Sequence, residues 1–217
     1  MRAVRIDEIE IPKDATLESL VTEFFPEIHG KLVPKAAGEG HFVVHLRFEG
    51  GPSFTLTFRG ASATVAEGEV GTADFWVSAD DATARTFVDD ARGPRRWAMK
   101  YAPAGDIQSI SDPRMLKRFA LVDGRIELAL TDFPGGRARL TLGTGRAAKK
   151  GIDTFEPDVT IEASTDVFER VLSGALAPDA ALSDGGVKLS GKRVLAMQYA
   201  FGMAPLAPAL PNSGPKR

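Results

Sequence analysis

Phe42-Val43-Val44-His45-Leu46-Arg47-Phe48-Glu49-Gly50-Gly51 lies over Ile126-Glu127-Leu128-Ala129-Leu130-Thr131-Asp132-Phe133-Pro134-Gly135 when the numbering is shifted by 84. Phe54-Thr55-Leu56-Thr57-Phe58 then falls on Ala138-Arg139-Leu140-Thr141-Leu142. Side chains of a strand alternate between its faces, so these period-2 runs predict one β-hairpin in each half, each with one apolar face. The shift also sets Asp74-Phe75-Trp76-Val77 on Asp158-Val159-Thr160-Ile161, a third strand per half.

Helices follow in the same order. Ala84, Phe87, Val88 and Ala91 recur at i, i+3, i+4 and i+7, with Asp80 or Asp81 as N-cap and Gly93-Pro94 as a stop. Phe168, Val171, Leu172 and Ala175 repeat that register, starting at Thr165 or Asp166. Further on the shift becomes 79: Gln108 to Leu116 matches Val187 to Leu195, and an amphipathic helix closes each half, near Met115 to Leu121 and Val194 to Phe201. The first half alone has a leading helix, Leu17 to Phe25. The reading is a duplicated α+β unit with boundaries at 1–122, 123–203 and a Pro-rich tail 204–217. The competing reading is one irregular α+β domain whose hairpins resemble each other because strands do. The short apolar junction Ala120-Leu121-Val122 argues for halves that share one folded unit.

The chain has 217 residues, 27 Lys and Arg against 29 Asp and Glu, and 43% hydrophobic residues. That composition is globular, and the missing basic excess argues against a nucleic-acid partner. With no cysteine, disulfides and thiolate sites are excluded, leaving three histidines for any metal site. His41 and His45, four strand residues apart, are separated by about 13 Å, too far for one ion. His29 beside Gly30 reads as a helix C-terminal residue. No metal or other cofactor is expected. Gly143-Thr144-Gly145-Arg146-Ala147-Ala148 fits a dinucleotide fingerprint, but Gly151 and Pro157 leave no room for the long helix that the pattern requires. No G-x-S-x-G elbow occurs, and no spacing singles out an acid/base pair. A charged N-terminus and the lack of any long apolar run suggest a soluble cytoplasmic protein. Oligomeric state is not readable.

From Asp158 onward the sequence resembles the sterol carrier protein type-2 family. The strand Val159-Thr160-Ile161, the helix closing at Leu172-Ser173-Gly174, the helical turn Pro178 to Leu182, the strand Val187 to Gly191 and the helix from Val194 to Met197 carry the resemblance. It is good over about Asp123 to Met203 and fainter over Leu17 to Leu121. It implies a five-stranded, mostly antiparallel sheet with helices on one face, an apolar tunnel for lipid between them, and no catalytic residues. The duplication, the missing second leading helix and the Pro-rich tail depart from the family pattern.

On that reading Met197, Tyr199, Phe201 and Met203 line the site opposite Phe168, Val171 and Leu172, with Trp97, Met99 and Tyr101 as further liners. Ordinary core packing is the alternative for all of them. Arg92 to Arg96 with Lys100 would suit contact with anionic headgroups at a membrane surface. The implied function is non-enzymatic binding or transfer of a sterol, fatty acid or acyl-CoA type of lipid. The alternative is an accessory module that holds a protein partner or a lipid-like intermediate of isoprenoid quinone type.

Overall fold

β1 (His41–Phe48) and β2 (Ser53–Arg59) form the first hairpin, and β3 (Ser62–Glu67) extends it. β4 (Phe75–Ala79) returns parallel to β1. β5 (Gly124–Phe133) and β6 (Gly136–Thr144) form the second hairpin, β7 (Val159–Ala163) returns parallel to β5, and β8 (Val187–Gly191) closes the edge. The computed structural model describes residues 11–32, 41–60, 62–92, 118, 121–133, 136–149, 156–172 and 175–203, some at element ends by backbone alone. The eight strands among the described residues join one sheet in the order β3-β2-β1-β4-β6-β5-β7-β8. Five of its seven pairings are antiparallel, which gives the mixed, mostly antiparallel α+β fold that the sequence predicts.

The helices are α1 (Leu17–Ser19), which runs through a π-helical stretch (Leu20–Phe24) into α2 (Phe25–Leu32), then α3 (Asp81–Arg92), α4 (Arg146–Lys149), α5 (Thr165–Leu172), α6 (Pro178–Ser183) and α7 (Arg193–Met203). Pro26 has no N–H to offer Thr22, and the wide turn, in which the Phe25 N–H reaches Leu20 O, keeps the helix continuous there. The helix continues to Leu32, so His29 stands in its last turn; it is buried, with its ring 5.1 Å from that of Phe58. At α3 the cap is Asp80, whose Oδ1 accepts from the Thr83 N–H at 2.6 Å. At α5 it is Ser164, one residue earlier than the sequence suggested, with Asp132 of β5 accepting from the Thr165 N–H.

The two halves correspond over the hairpin, the returning strand and its helix. In each half an aspartate ties the returning strand to the hairpin. The Val43 N–H donates to Asp74 Oδ2 and the Asp74 N–H to Val43 O, both at 2.9 Å. The Arg125 N–H donates to Asp158 Oδ2 at 2.9 Å and the Asp158 N–H to Arg125 O at 2.8 Å. Asp158 lies 84 residues beyond Asp74, but Arg125 only 82 beyond Val43. The repeat read in the sequence is therefore slipped by two residues in β1 and by two the other way in β2, where Leu56 opposite Val44 corresponds to Leu142 opposite Ile126; even slips preserve the faces. Asp158 Oδ1 also accepts from Lys192 Nζ at 2.8 Å. Burial alone would raise its carboxyl, but the bonds from Lys192 and the Arg125 amide outweigh that and hold it below its ordinary value.

Both glycines of the false nucleotide motif have structural reasons. A Cβ on Gly143 would meet Trp76 Cε3 at 3.1 Å, and Gly145 turns at φ +62°. The four-residue α4 follows among the described residues. His41 is exposed while His45 is buried with Nε2 3.3 Å from Val70 O, and no group of three or more metal-binding side chains occurs among the described residues. No helix among them is long and apolar enough to cross a membrane. The helix expected near Met115 to Leu121 and the cationic run from Arg92 to Lys100 lie almost wholly outside the described residues.

Two outcomes follow from this architecture. Asp158→Asn should cost roughly 1 to 3 kcal/mol at neutral pH. Because the folded carboxyl titrates below the unfolded value of about 3.9, that contribution is complete above this pH and disappears as pH falls through the lower folded value. Denaturation of both proteins across the acid range should show the gap closing; a gap that does not change with pH contradicts the tie. Residues 123–217 expressed alone should melt lower and more broadly than the whole chain, since β6 loses β4. An equally sharp and equally high transition would show that the second half is independent.

Candidate functional site

Pairing registers place Phe42, Val44, Leu46 and Phe48 of β1, Phe75, Val77 and Ala79 of β4, Leu140 and Leu142 of β6, and Ile126, Leu128 and Leu130 of β5 on one face. The opposite face carries His45, Arg47, Thr57, Thr141, Glu127, Thr160 and Glu162, with ion pairs such as Arg137 to Glu162 at 2.6 Å. Helices cover the apolar face at both ends. On one side Val21 and Leu17 pack with Phe42, Phe54, Leu56 and Phe58, of which Phe54 is 1% exposed. On the other, Leu195, Ala196 and Tyr199 of α7 pack on Ile126, Leu128 and Val159.

Between those covers the sheet should be most buried, since its central strands have neighbours on both sides. It is not: Val44, Leu46, Phe75, Val77, Leu140 and Leu142 are only half-buried. Phe75 and Leu140 touch both clusters from the edge, and among the described residues Val77 joins neither. We refer to this half-buried apolar strip on β1, β4 and β6 as the trough. Phe168 of α5 packs both on the α7 cluster and on the group formed by Leu130, Phe133 and Ala138, where Phe87 of α3 also sits. The floor carries no titratable side chain. Burial pushes the Tyr199 hydroxyl well above its ordinary range, so it stays protonated at neutral pH.

Of the residues singled out in the sequence, the structure brings Phe168 and Tyr199 together, and Val171 is half-buried on α5. Met197 departs from its expected place: it is 65% exposed, on the side of α7 away from the cluster. Helical geometry accounts for this, because Leu195, Ala196 and Tyr199 share the inward face and Val194 and Met197 the outward one. The side chains of Leu172, Phe201 and Met203, and all of Trp97, Met99 and Tyr101, lie outside the described residues. The six floor residues were readable as strand residues but not as a site, since alternation shows which face is apolar and not how fully it is covered.

Residues 106–201 match the family model of the SCP-2 sterol transfer family, which bears out the resemblance over that segment. No curated protein matches the chain in sequence. Among solved structures, sterol carrier protein domain 2 of Helicoverpa armigera is 20% identical, with a TM-score of 0.39 over 52% of this chain and 93% of that one. Sterol carrier protein 2 of Yarrowia lipolytica, in its apo form, is 19% identical, with a TM-score of 0.32 over 42% and 78%. A structure titled UbiJ-SCP2 ubiquinone synthesis protein is 11% identical, with a TM-score of 0.22 over 89% and 93%.

The orientation of α7 is open to a direct check by denaturant unfolding. Leu195→Ala should cost about 2 to 4 kcal/mol as a buried truncation, and Met197→Ala less than about 0.5 kcal/mol as an exposed one. Equal costs would mean that the helix is rotated.

Proposed function

We propose that the chain binds one apolar ligand of lipid class in the central trough and transfers it, without catalysing a reaction on it. The observation that carries this reading is the half-buried middle of an otherwise covered apolar face, on a chain whose residues 106–201 match a sterol transfer family model. Patches of that kind mark binding surfaces because leaving them wet costs roughly 25 cal/mol per Å². Enclosing about ten methylenes of an acyl chain gains about 8 kcal/mol. After association costs this leaves affinity at the micromolar level or weaker. A floor without titratable groups suits a ligand recognised by shape and apolarity, such as a sterol, a fatty acyl chain or an isoprenoid tail. Native mass spectrometry of freshly purified protein distinguishes these by mass.

Filling the trough is the sharpest test. Val77→Trp should abolish saturable uptake of a fluorescent fatty acid by delipidated protein while leaving stability nearly unchanged, because the new ring occupies the ligand's space. If the middle of the sheet is solid core, the same change overpacks it by about 1 to 3 kcal/mol. Wild type would then show no saturable uptake.

A further inference from the structure

The three most exposed large apolar side chains among the described residues are Leu121 (82%), Val194 (68%) and Met197 (65%). Val194 and Met197 belong to the first half of α7. They lie one turn apart on its outer face, and Leu121 precedes Val122, which packs in one cluster with Leu195. A Cβ on Gly124 would come within 2.5 Å of Leu195 Cδ2, so the start of β5 and the start of α7 are in close contact. A surface helix of a soluble domain normally turns charge outward, whereas α7 is apolar both inward and outward. From Val187 to Met203 the sequence has three basic residues, Lys188, Lys192 and Arg193, and no acidic one. Lys192 reaches Asp158 and Lys188 reaches Glu162, while Arg193 makes no ion pair among the described residues.

We infer that this end of α7, with Leu121, Val194 and Met197 inserted and Arg193 and Lys192 at their border, is a docking surface for an anionic lipid bilayer. The inference deepens the trough reading and rests on it: the inner face of the same helix packs beside the trough, so a ligand leaving the bilayer would have only one helix to pass. Apolar side chains bordered by basic ones are what an interfacial helix needs, burial supplying affinity and Lys or Arg selecting anionic headgroups. A second copy of the chain would also cover apolar side chains, but its own α7 offers no anionic partner to Arg193, the basic residue here that makes no ion pair among the described residues.

Flotation with phosphatidylcholine vesicles, with and without phosphatidylglycerol, tests this alongside uptake of a fluorescent fatty acid from solution. Wild type should float with anionic vesicles and at least about tenfold less with neutral ones. V194D/M197D and R193E change exposed positions; both should melt as wild type does and keep full fatty acid uptake, and both should lose flotation. Absence of flotation by wild type, undiminished flotation of V194D/M197D, or a wild-type dimer that this variant dissolves in sedimentation would each overturn the docking surface. Uptake without flotation overturns the docking surface and leaves the trough standing. Flotation without uptake upholds the docking surface and contradicts the trough.

Discussion

Antiparallel pairing of β4 with β6, from Phe75 opposite Thr144 to Ala79 opposite Leu140, is the contact on which the rest of the structure depends. Each half alone presents an open strand at this point, and an unpaired strand leaves a row of backbone donors and acceptors without partners. Joining them turns two four-stranded sheets into one sheet of eight with a continuous apolar face. A second tie crosses the same boundary, from the Arg139 N–H of β6 to Thr83 Oγ1 of α3 at 2.8 Å, and Thr83 is fully buried.

The trough is a consequence of that joining. The covering helices α1 and α2 lie over the first hairpin and α5 and α7 over the second, while α3 of the first half crosses onto β6, where Phe87 packs with Leu130, Phe133 and Ala138. At the boundary between the halves Val44, Leu46, Phe75, Val77, Leu140 and Leu142 stay half-buried. The least covered apolar strip therefore coincides with strands that have neighbours on both sides.

Much of this was legible in the sequence because it is local. Period-2 alternation located both hairpins and both returning strands, i, i+3, i+4 spacing located α3 and α5, and the repeat with the resemblance located α7, which was expected to be amphipathic but is apolar on both its buried and its exposed side. β3 was missed because Ser62-Ala63-Thr64-Val65-Ala66-Glu67 has small side chains and little alternation contrast. The two-residue slip in β1 was invisible because it leaves every side chain on the correct face. Gly30 reads as a helix stop, but the helix runs two residues further to Leu32, and the burial of His29 against Phe58 is a tertiary contact that no local pattern encodes. The β4 to β6 pairing and the openness of the trough are non-local, and no periodicity encodes them. Met197 was assigned to the site by the resemblance together with residue type, and neither says which way a helix faces.

Photolabelling addresses the central claim most directly, using a fatty acid that carries a diazirine on its chain, followed by peptide mapping. The account predicts saturable labelling concentrated on the strand peptides 75–79 and 140–144, competed away by unlabelled ligand. Labelling confined to the outer face of α7, or spread over the surface without competition, would contradict a binding site at the middle of the sheet.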